Sequence, residues 1–236
     1  MNSSIVAEQC IIENYHTFMS EYKRFLDKDL LISLSPIGRN KLLISNIVKV
    51  FYIITSHNTK INNSDKLQAL NDFKKLNDEY LARLEDYNIS SIIRVEEKIE
   101  VKKDIGSLGG FLKDIKTTLE EFVSAHSFYA SKRPQKIHKQ AIIEFNNFLS
   151  HLHQHYAYNI DNNIQRGNTH LHRGTLDYYK TLIIQKYNDL TIADKKRLIE
   201  LRQIETSTIG KKIDCDSVIL KKNIPSKYAD YVKTIY

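Results

Sequence analysis

The sequence predicts an all-α fold, on three observations. Glycine and proline are scarce, 7 and 3 of 236 residues, and an all-β protein needs more turn residues than that. Apolar side chains recur every three or four positions through several long windows, the period of a helix with one buried face. Two of these windows, about 136–157 and 160–187, are joined by a short polar stretch and read as an antiparallel helical pair. An apolar content of 42% supplies a core and argues against a disordered chain.

The elements follow in order. Residues 5–27 carry Ile11, Tyr15, Phe18, Tyr22 and Phe25 on one helical face. Ser35-Pro36-Ile37-Gly38 reads as a turn. Residues 39–56 place Leu43, Ile47, Val50 and Ile54 at helical spacing, although a β-branched run makes a strand pair the alternative. Leu67, Leu70, Phe73, Leu76, Tyr80, Leu84 and Tyr87 mark a further amphipathic helix opening near Ser64. Residues 89–104 suit a short strand or a charged helix equally. Gly106, Gly109 and Gly110 form the one glycine cluster. It lacks the Lys-Ser/Thr of a phosphate loop, so it reads as a hinge or helix boundary.

Past that boundary, 111–131 is helical through Phe111, Leu112, Ile115, Leu119, Phe122, Val123 and Phe128, and the chain turns at Arg133-Pro134. The pair 136–157 and 160–187 comes next. Thr191 and Asp194 form a capping pair for another helix. The tail from Gly210 has few periodic signals, and Pro225 is expected to end whatever precedes it.

The chemistry concentrates on the helix 160–187. Arg166, His170, Arg173, Asp177 and Lys180 fall one turn apart on a single face. Such a row can bind an anion, move a proton or simply face water. Beside it runs a small or apolar row, Ile160, Ile164, Gly167, Leu171, Gly174, Tyr178 and Leu182. A glycine inside a helix costs roughly 0.5–1 kcal/mol relative to alanine, so two on one stripe point to close approach of a neighbouring helix. The helix 136–157 answers with its own polar line, Glu144, His151 and His155. A hairpin centred at Tyr158 and Asn159 sets His151 level with Arg166 and Glu144 level with Arg173. In that groove a histidine can serve as acid or base, and arginines can fork onto a phosphodiester. No side chain there is a convincing covalent nucleophile; the 2′-hydroxyl of RNA is one.

Arg166 and His172, with five residues between them late in a helical bundle, resemble the Arg-x(4–6)-His motif of the HEPN superfamily. Arg166 to His170 has only three intervening residues and lies outside that window. The resemblance covers roughly 111–187. It implies a metal-independent endoribonuclease or an RNA-binding protein of toxin–antitoxin or antiviral defence type, working without a cofactor as a homodimer, with RNA and a protein partner or antitoxin. The glycine cluster at Gly106, Gly109 and Gly110 is the candidate division between an N-terminal helical region, 1–105, and a C-terminal, HEPN-like bundle, 106–236. On the resemblance, Arg166 handles the scissile phosphate and His172 the proton. Helical geometry instead selects His170 as the partner of Arg166, because His172 points elsewhere. The candidate catalytic residues are Arg166, His170, His172 and Glu144, and the candidate binding residues His151, Arg173, Asp177 and Lys180. The alternative function is a non-catalytic helical interaction module that binds a protein through the 67–87 helix or the glycine face.

Other readings are blander. The charged row can be a solvated face, in which a pair such as Arg173–Asp177 contributes only about 0.3–0.5 kcal/mol. His151 and His155 stand at a spacing that can chelate a metal, but no HExxH glutamate accompanies them, so no metal site is assigned. Tyr156, Tyr158, Tyr178 and Tyr179 suit core packing with one wet edge better than base stacking. Lys132, Arg133, Lys136 and Lys139 extend a basic surface or a solvated turn. A net charge of +7 admits nucleic acid or acidic proteins as partners without demanding either. Cys10 and Cys215 form no disulfide framework, and Ile44–Thr55 is too short and polar to span a bilayer. The expectation is a soluble cytoplasmic protein.

Overall fold

The computed structural model describes residues 3–32, 41–56, 60–85, 105–134, 136–158, 160, 162–207 and 215–236. Among these residues all regular structure is helical: α1 (Ser3–Ile32), α2 (Lys41–Thr55), α3 (Asn63–Glu85), α4 (Ile105–Lys132), α5 (Lys139–Tyr158), α6 (Asn162–Lys186), α7 (Ile192–Ser207) and α8 (Cys215–Ile235). A 3-10 turn, Tyr187–Asp189, follows α6. The Ser35–Gly38 turn, Tyr87 and the ambiguous stretch 89–104 lie outside the described residues.

α2 is a helix, as the spacing of its apolar residues indicates, and not the strand pair that its β-branched run offered as the alternative. Leu43, Ile44, Ile47, Val48, Val50, Phe51 and Ile54 are all buried, with α1, α3, α4 and α5 packed around them. Burial from several sides outweighs the modest χ1 cost of β-branched residues in a helix. α3 begins where side chains satisfy its first free amides. Asn62 Oδ1 accepts from the Asp65 amide at 3.0 Å and Asp65 Oδ2 accepts from the Asn62 amide at 2.9 Å. α7 opens the same way on the expected pair: Thr191 Oγ1 accepts from the Asp194 amide at 3.1 Å, and Asp194 Oδ2 from the Thr191 amide at 3.3 Å. At the head of α5 a histidine takes the capping role, with His138 Nδ1 accepting from the Ala141 amide at 3.1 Å.

Two boundaries differ from the sequence reading. α4 starts at Ile105, so Gly106, Gly109 and Gly110 lie in its first turns rather than before it. Glycine has a low helical propensity but is no absolute breaker. Pro225 does not end a helix; it sits inside α8. Ile224, Tyr228, Tyr231 and Val232 are buried around it at helical spacing, and packing of that face against α6 and α7 holds the helix through a residue without an amide hydrogen.

α5 and α6 form the central antiparallel pair. α1 and α2 lie against α5, α4 against α6 and α2, and α8 against α6 and α7. One continuous apolar cluster runs through the described residues, from Tyr15 on α1 to Val232 on α8. Phe51 is its hub between α2 and α5, with ring centroids 5.7 Å from Phe148 and 6.2 Å from Phe145.

The glycines of α6 show how closely its neighbours approach. A Cβ on Gly174 would lie 2.6 Å from Phe122 Cε2, 3.2 Å from the Ala141 carbonyl oxygen and 3.3 Å from Glu144 Cβ. On Gly167 it would meet Phe148 Cδ2 at 3.2 Å and His151 Cβ at 3.7 Å. The register is therefore Gly167 beside His151 and Gly174 beside Glu144, one residue along α6 from the sequence estimate. It also means that α5 and α4 fill the glycine face, leaving no room there for a partner.

Candidate functional site

Glu144 and His151 stand two helical turns apart on α5, and the register of the hairpin brings both to the polar row of α6. Glu144 is almost buried and its two oxygens are both engaged. Oε1 accepts from Gln140 Nε2 at 3.1 Å, and Oε2 accepts from His170 Nδ1 at 2.6 Å. His151 donates from Nδ1 to Asn163 Oδ1 at 3.1 Å. The imidazoles of His151 and His170 then stack, with ring centroids 5.1 Å apart and planes 22° from parallel. Asn163, Arg166 and His170 follow one another by a turn on α6, so Arg166 stands beside this stack with its side chain exposed.

Burial and nearby charges together lower the pKa of His151. Burial pushes its pKa down first; the hydrogen bond to Asn163 opposes this, and the charges of His170 and Arg166 add to the lowering. His151 is therefore a neutral imidazole at pH 7. Its Nδ1 proton is committed to Asn163, which leaves the lone pair on Nε2. The same geometry turns Nδ1 of His170 to Glu144 and leaves its Nε2 as the second working nitrogen.

The rest of the row serves other ends. Arg173 is exposed. Asp177 is half-buried, and its carboxyl is held above the usual range by burial first and by Glu144 next, against Lys180 and Arg173. Lys180 is committed elsewhere: its Nζ donates to Glu205 Oε1 at 2.5 Å and lies 5.7 Å from the centre of the Tyr228 ring. Glu205 also accepts from Tyr228 at 2.5 Å and from Arg202. Burial raises the Glu205 carboxyl, but the bonds from Lys180 and Tyr228 and the charges of Lys180 and Arg202 outweigh it, and its pKa falls. The end of the row thus fastens α6 to α7 and α8.

His172 turns the other way, towards α4. Its Nδ1 lies 4.0 Å from Glu121 Oε2, and Glu121 also accepts from Ser226 at 3.4 Å. The structure accordingly gathers Arg166, His170, Glu144 and His151 on one side of α6 and sets His172 on another. Asn163, which fixes His151, escaped the sequence reading. Its signal was its place one turn ahead of Arg166 on the same face.

The remaining histidines of α5 are not part of the stack. His155 donates from Nδ1 to the Ile160 carbonyl at 3.1 Å and ties down the connection to α6. His153 is 3% exposed, and neither ring nitrogen has a hydrogen-bond partner. His151 and His155, the pair spaced for chelation, are held by different acceptors. Nearly parallel rings such as His151 and His170 do not aim their in-plane lone pairs at one ion. Among the described residues no group of three or more His, Cys, Asp or Glu side chains is placed to hold a metal.

The tyrosines divide as packing predicts. Tyr156, Tyr178 and Tyr179 are buried, and Tyr158 is 60% exposed at the end of α5. A shallow pocket between α2 and α4, lined by Tyr52, Thr55, Ser56, Ile115, Lys116, Leu119 and Glu120, includes none of the stack residues. No described helix is long and apolar enough to cross a membrane.

Comparison with protein-family models, curated proteins and solved structures gives no match.

Proposed function

We propose that the protein is a HEPN-like RNA-cleaving or RNA-binding protein of bacterial defence or toxin type, acting in the cytoplasm as a homodimer. The HEPN likeness rests on the spacing of Arg166 and His172 alone; the observation that carries the RNA reading is the packing of His151 and His170 into one stack, pinned by Asn163 and Glu144, beside the exposed Arg166. A guanidinium next to two oriented imidazoles suits a phosphodiester: the arginine forks onto non-bridging oxygens, and the rings carry protons. RNA supplies its own nucleophile, so the absence of a candidate nucleophile from the row fits this substrate. The net charge of +7 favours approach of a polyanion.

Arg166 is the residue to test first, because its side chain is exposed and its removal leaves the core alone. Arg166→Ala is expected to lower RNA affinity and to flatten its dependence on salt, read by anisotropy of a labelled single-stranded RNA at several salt concentrations. Wild-type protein that shows neither salt-sensitive RNA binding nor RNA cleavage refutes the reading.

The competing reading, a non-catalytic module for a protein partner or antitoxin, draws on a different surface. Ile192 and Ile199, two turns apart on one face of α7, are 89% and 58% exposed, an apolar face that a partner can cover. Charged substitutions at Ile192 and Ile199 that abolish toxicity or partner capture while sparing RNA binding would favour that module.

A further inference from the structure

Two imidazoles on different helices, each with Nδ1 spent on a fixed acceptor, are an uncommon expense of order. Nδ1 of His151 is held by Asn163 at 3.1 Å, and Nδ1 of His170 by Glu144 at 2.6 Å. The tautomers are thereby set, and both rings are left with Nε2 as the reactive atom. The charged groups facing the pair are Glu144 from α5 and Arg166 from α6. They are unequal in effect: Arg166 disfavours a second positive charge on His151, while Glu144 gives a protonated His170 its counter-charge. One ring is thus set up to take a proton and the other to give one.

Resting on the RNA-cleaving reading, we infer that His151 and His170 form the acid–base pair of the site, His151 as proton acceptor and His170 as proton donor, and that His172 is not part of it. The step balances without a metal or any further reactant. His151 Nε2 takes the proton of the ribose 2′-hydroxyl as the 2′-oxygen forms its bond to phosphorus. The bond from phosphorus to the 5′-oxygen breaks, and that oxygen receives the proton of His170 Nε2. The products are a 2′,3′-cyclic phosphate and a free 5′-hydroxyl, with His151 left protonated and His170 neutral; exchange with water restores both. Arg166 is placed to hold the phosphate oxygens. Asn163 and Glu144 are positioning residues that act through the rings. His172, 4.0 Å from Glu121 on the α4 side, faces a different part of the protein.

The assignment predicts an ordered set of losses. In single-turnover cleavage of a single-stranded RNA, His151→Ala and His170→Ala each lower the rate by about 10²–10⁴-fold and each remove one limb of the pH–rate profile. His172→Ala leaves the rate within about threefold, far below the cost expected of a lost general acid or base. Asn163→Ala, which frees the His151 tautomer without removing the ring, lowers the rate and displaces the limb that belongs to His151. An RNA with a single 2′-deoxy position at the scissile linkage is not cut there. His151→Gln serves as the second variant if His151→Ala melts early, and a matched thermal midpoint is required of every protein compared. Cleavage that survives both His151 variants but is lost in His172→Ala overturns the pair and leaves the RNA-cleaving reading standing. A wild-type protein that cuts no RNA removes the reading and the pair together. Cutting at the 2′-deoxy linkage overturns the step as written.

Discussion

Glu144 on α5 and His170 on α6 are joined by a hydrogen bond of 2.6 Å at the point where Gly174 lets the two helices close. The carboxylate reaches His170 because glycine, and not a larger residue, occupies the position one turn further along α6. Packing and chemistry therefore share a single constraint. Glu144→Gln keeps the shape and can still accept through its amide oxygen, but it removes the counter-charge. The expected outcome is a loss of RNA cleavage of about 10–100-fold with little change in melting temperature, since a general acid that loses its charged partner loses part of the 10²–10⁴-fold it supplies. Glu144→Ala is expected to lose more and also to melt earlier, because it strips the acceptor from both Gln140 and His170. Circular dichroism melting beside the cleavage assay separates the two effects.

The two glycines make a graded prediction about stability. At Gly174 an added methyl meets an aromatic edge at 2.6 Å and a backbone oxygen at 3.2 Å, and the ring of Phe122 is held by Phe145 and Tyr178. Strain of that kind costs about 1–3 kcal/mol, more than the roughly 0.5–1 kcal/mol of helical propensity that alanine returns. At Gly167 the nearest contact is 3.2 Å, to the side chain of Phe148, so the opposing terms are close to balance. Gly174→Ala is expected to lower the urea midpoint clearly and Gly167→Ala to move it little. Equal effects from the two would contradict this account of the α5–α6 contact.

Helices read well from the sequence where one face is apolar and the other charged. α3 and α6 are of this kind, because the period alone identifies them. α2 also read as a helix, with a strand pair as the alternative, whereas α8 read poorly. In α2 the helical period was plain, and what competed with it was the strand preference of its β-branched residues. α8 contains a proline whose local cost is offset by tertiary packing that no local pattern reveals. The site divides in the same way. The hairpin register was legible because the loop is short and the glycine stripe marks the contact, which brought His151, His170, Glu144 and Arg166 together on paper. The fate of Lys180 was not legible. Its partner Glu205 stands on α7 and Tyr228 on α8, and neither bears a fixed spacing to the row. The contest between His170 and His172 was legible only in part: helical geometry separates their faces, but only the folded chain places Glu121 beside His172.

Buried neutral histidine makes the fold acid-sensitive. His153 is 3% exposed, and burial, with Lys23 nearby, pushes its pKa down to about 4 from an ordinary 6.5. The unfolded chain binds the proton more readily than the folded one. The contribution of His153 is therefore fully present above about pH 6.5 and is lost as the pH falls from there through about 4, a loss on the order of 3 kcal/mol. His16, His126, His138 and His151 are shifted in the same direction by burial, and steepen the same slope. Neither ring nitrogen of His153 has a hydrogen-bond partner to lose, so an apolar ring of similar shape is expected to be tolerated. His153→Phe should reduce the stability difference between pH 7 and pH 5 in urea titrations. An unchanged slope would show that the other histidines account for it.

The node around Glu205 predicts the opposite separation, stability without chemistry. Lys180, Arg202 and Tyr228 all donate to this one carboxylate, and together they fasten α6 to α7 and α8. Glu205→Ala leaves a lysine, an arginine and a tyrosine hydroxyl without that acceptor, which costs about 1–3 kcal/mol for a part-buried group. Lys180→Met keeps most of the aliphatic stem and is expected to cost less. Because the three donors share one acceptor, the double variant Glu205→Ala with Lys180→Met should cost less than the sum of the singles. The pKa of Glu205 is lowered in the folded protein, so its contribution is present above the ordinary carboxylate pKa and lost as the pH falls below it. RNA cleavage by each variant, measured well below its melting temperature, is expected to stay near wild type, since none of these residues touches the stack of His151 and His170. A large fall in the rate of Lys180→Met without a fall in stability would return Lys180 to the binding site and join the two halves of the polar row.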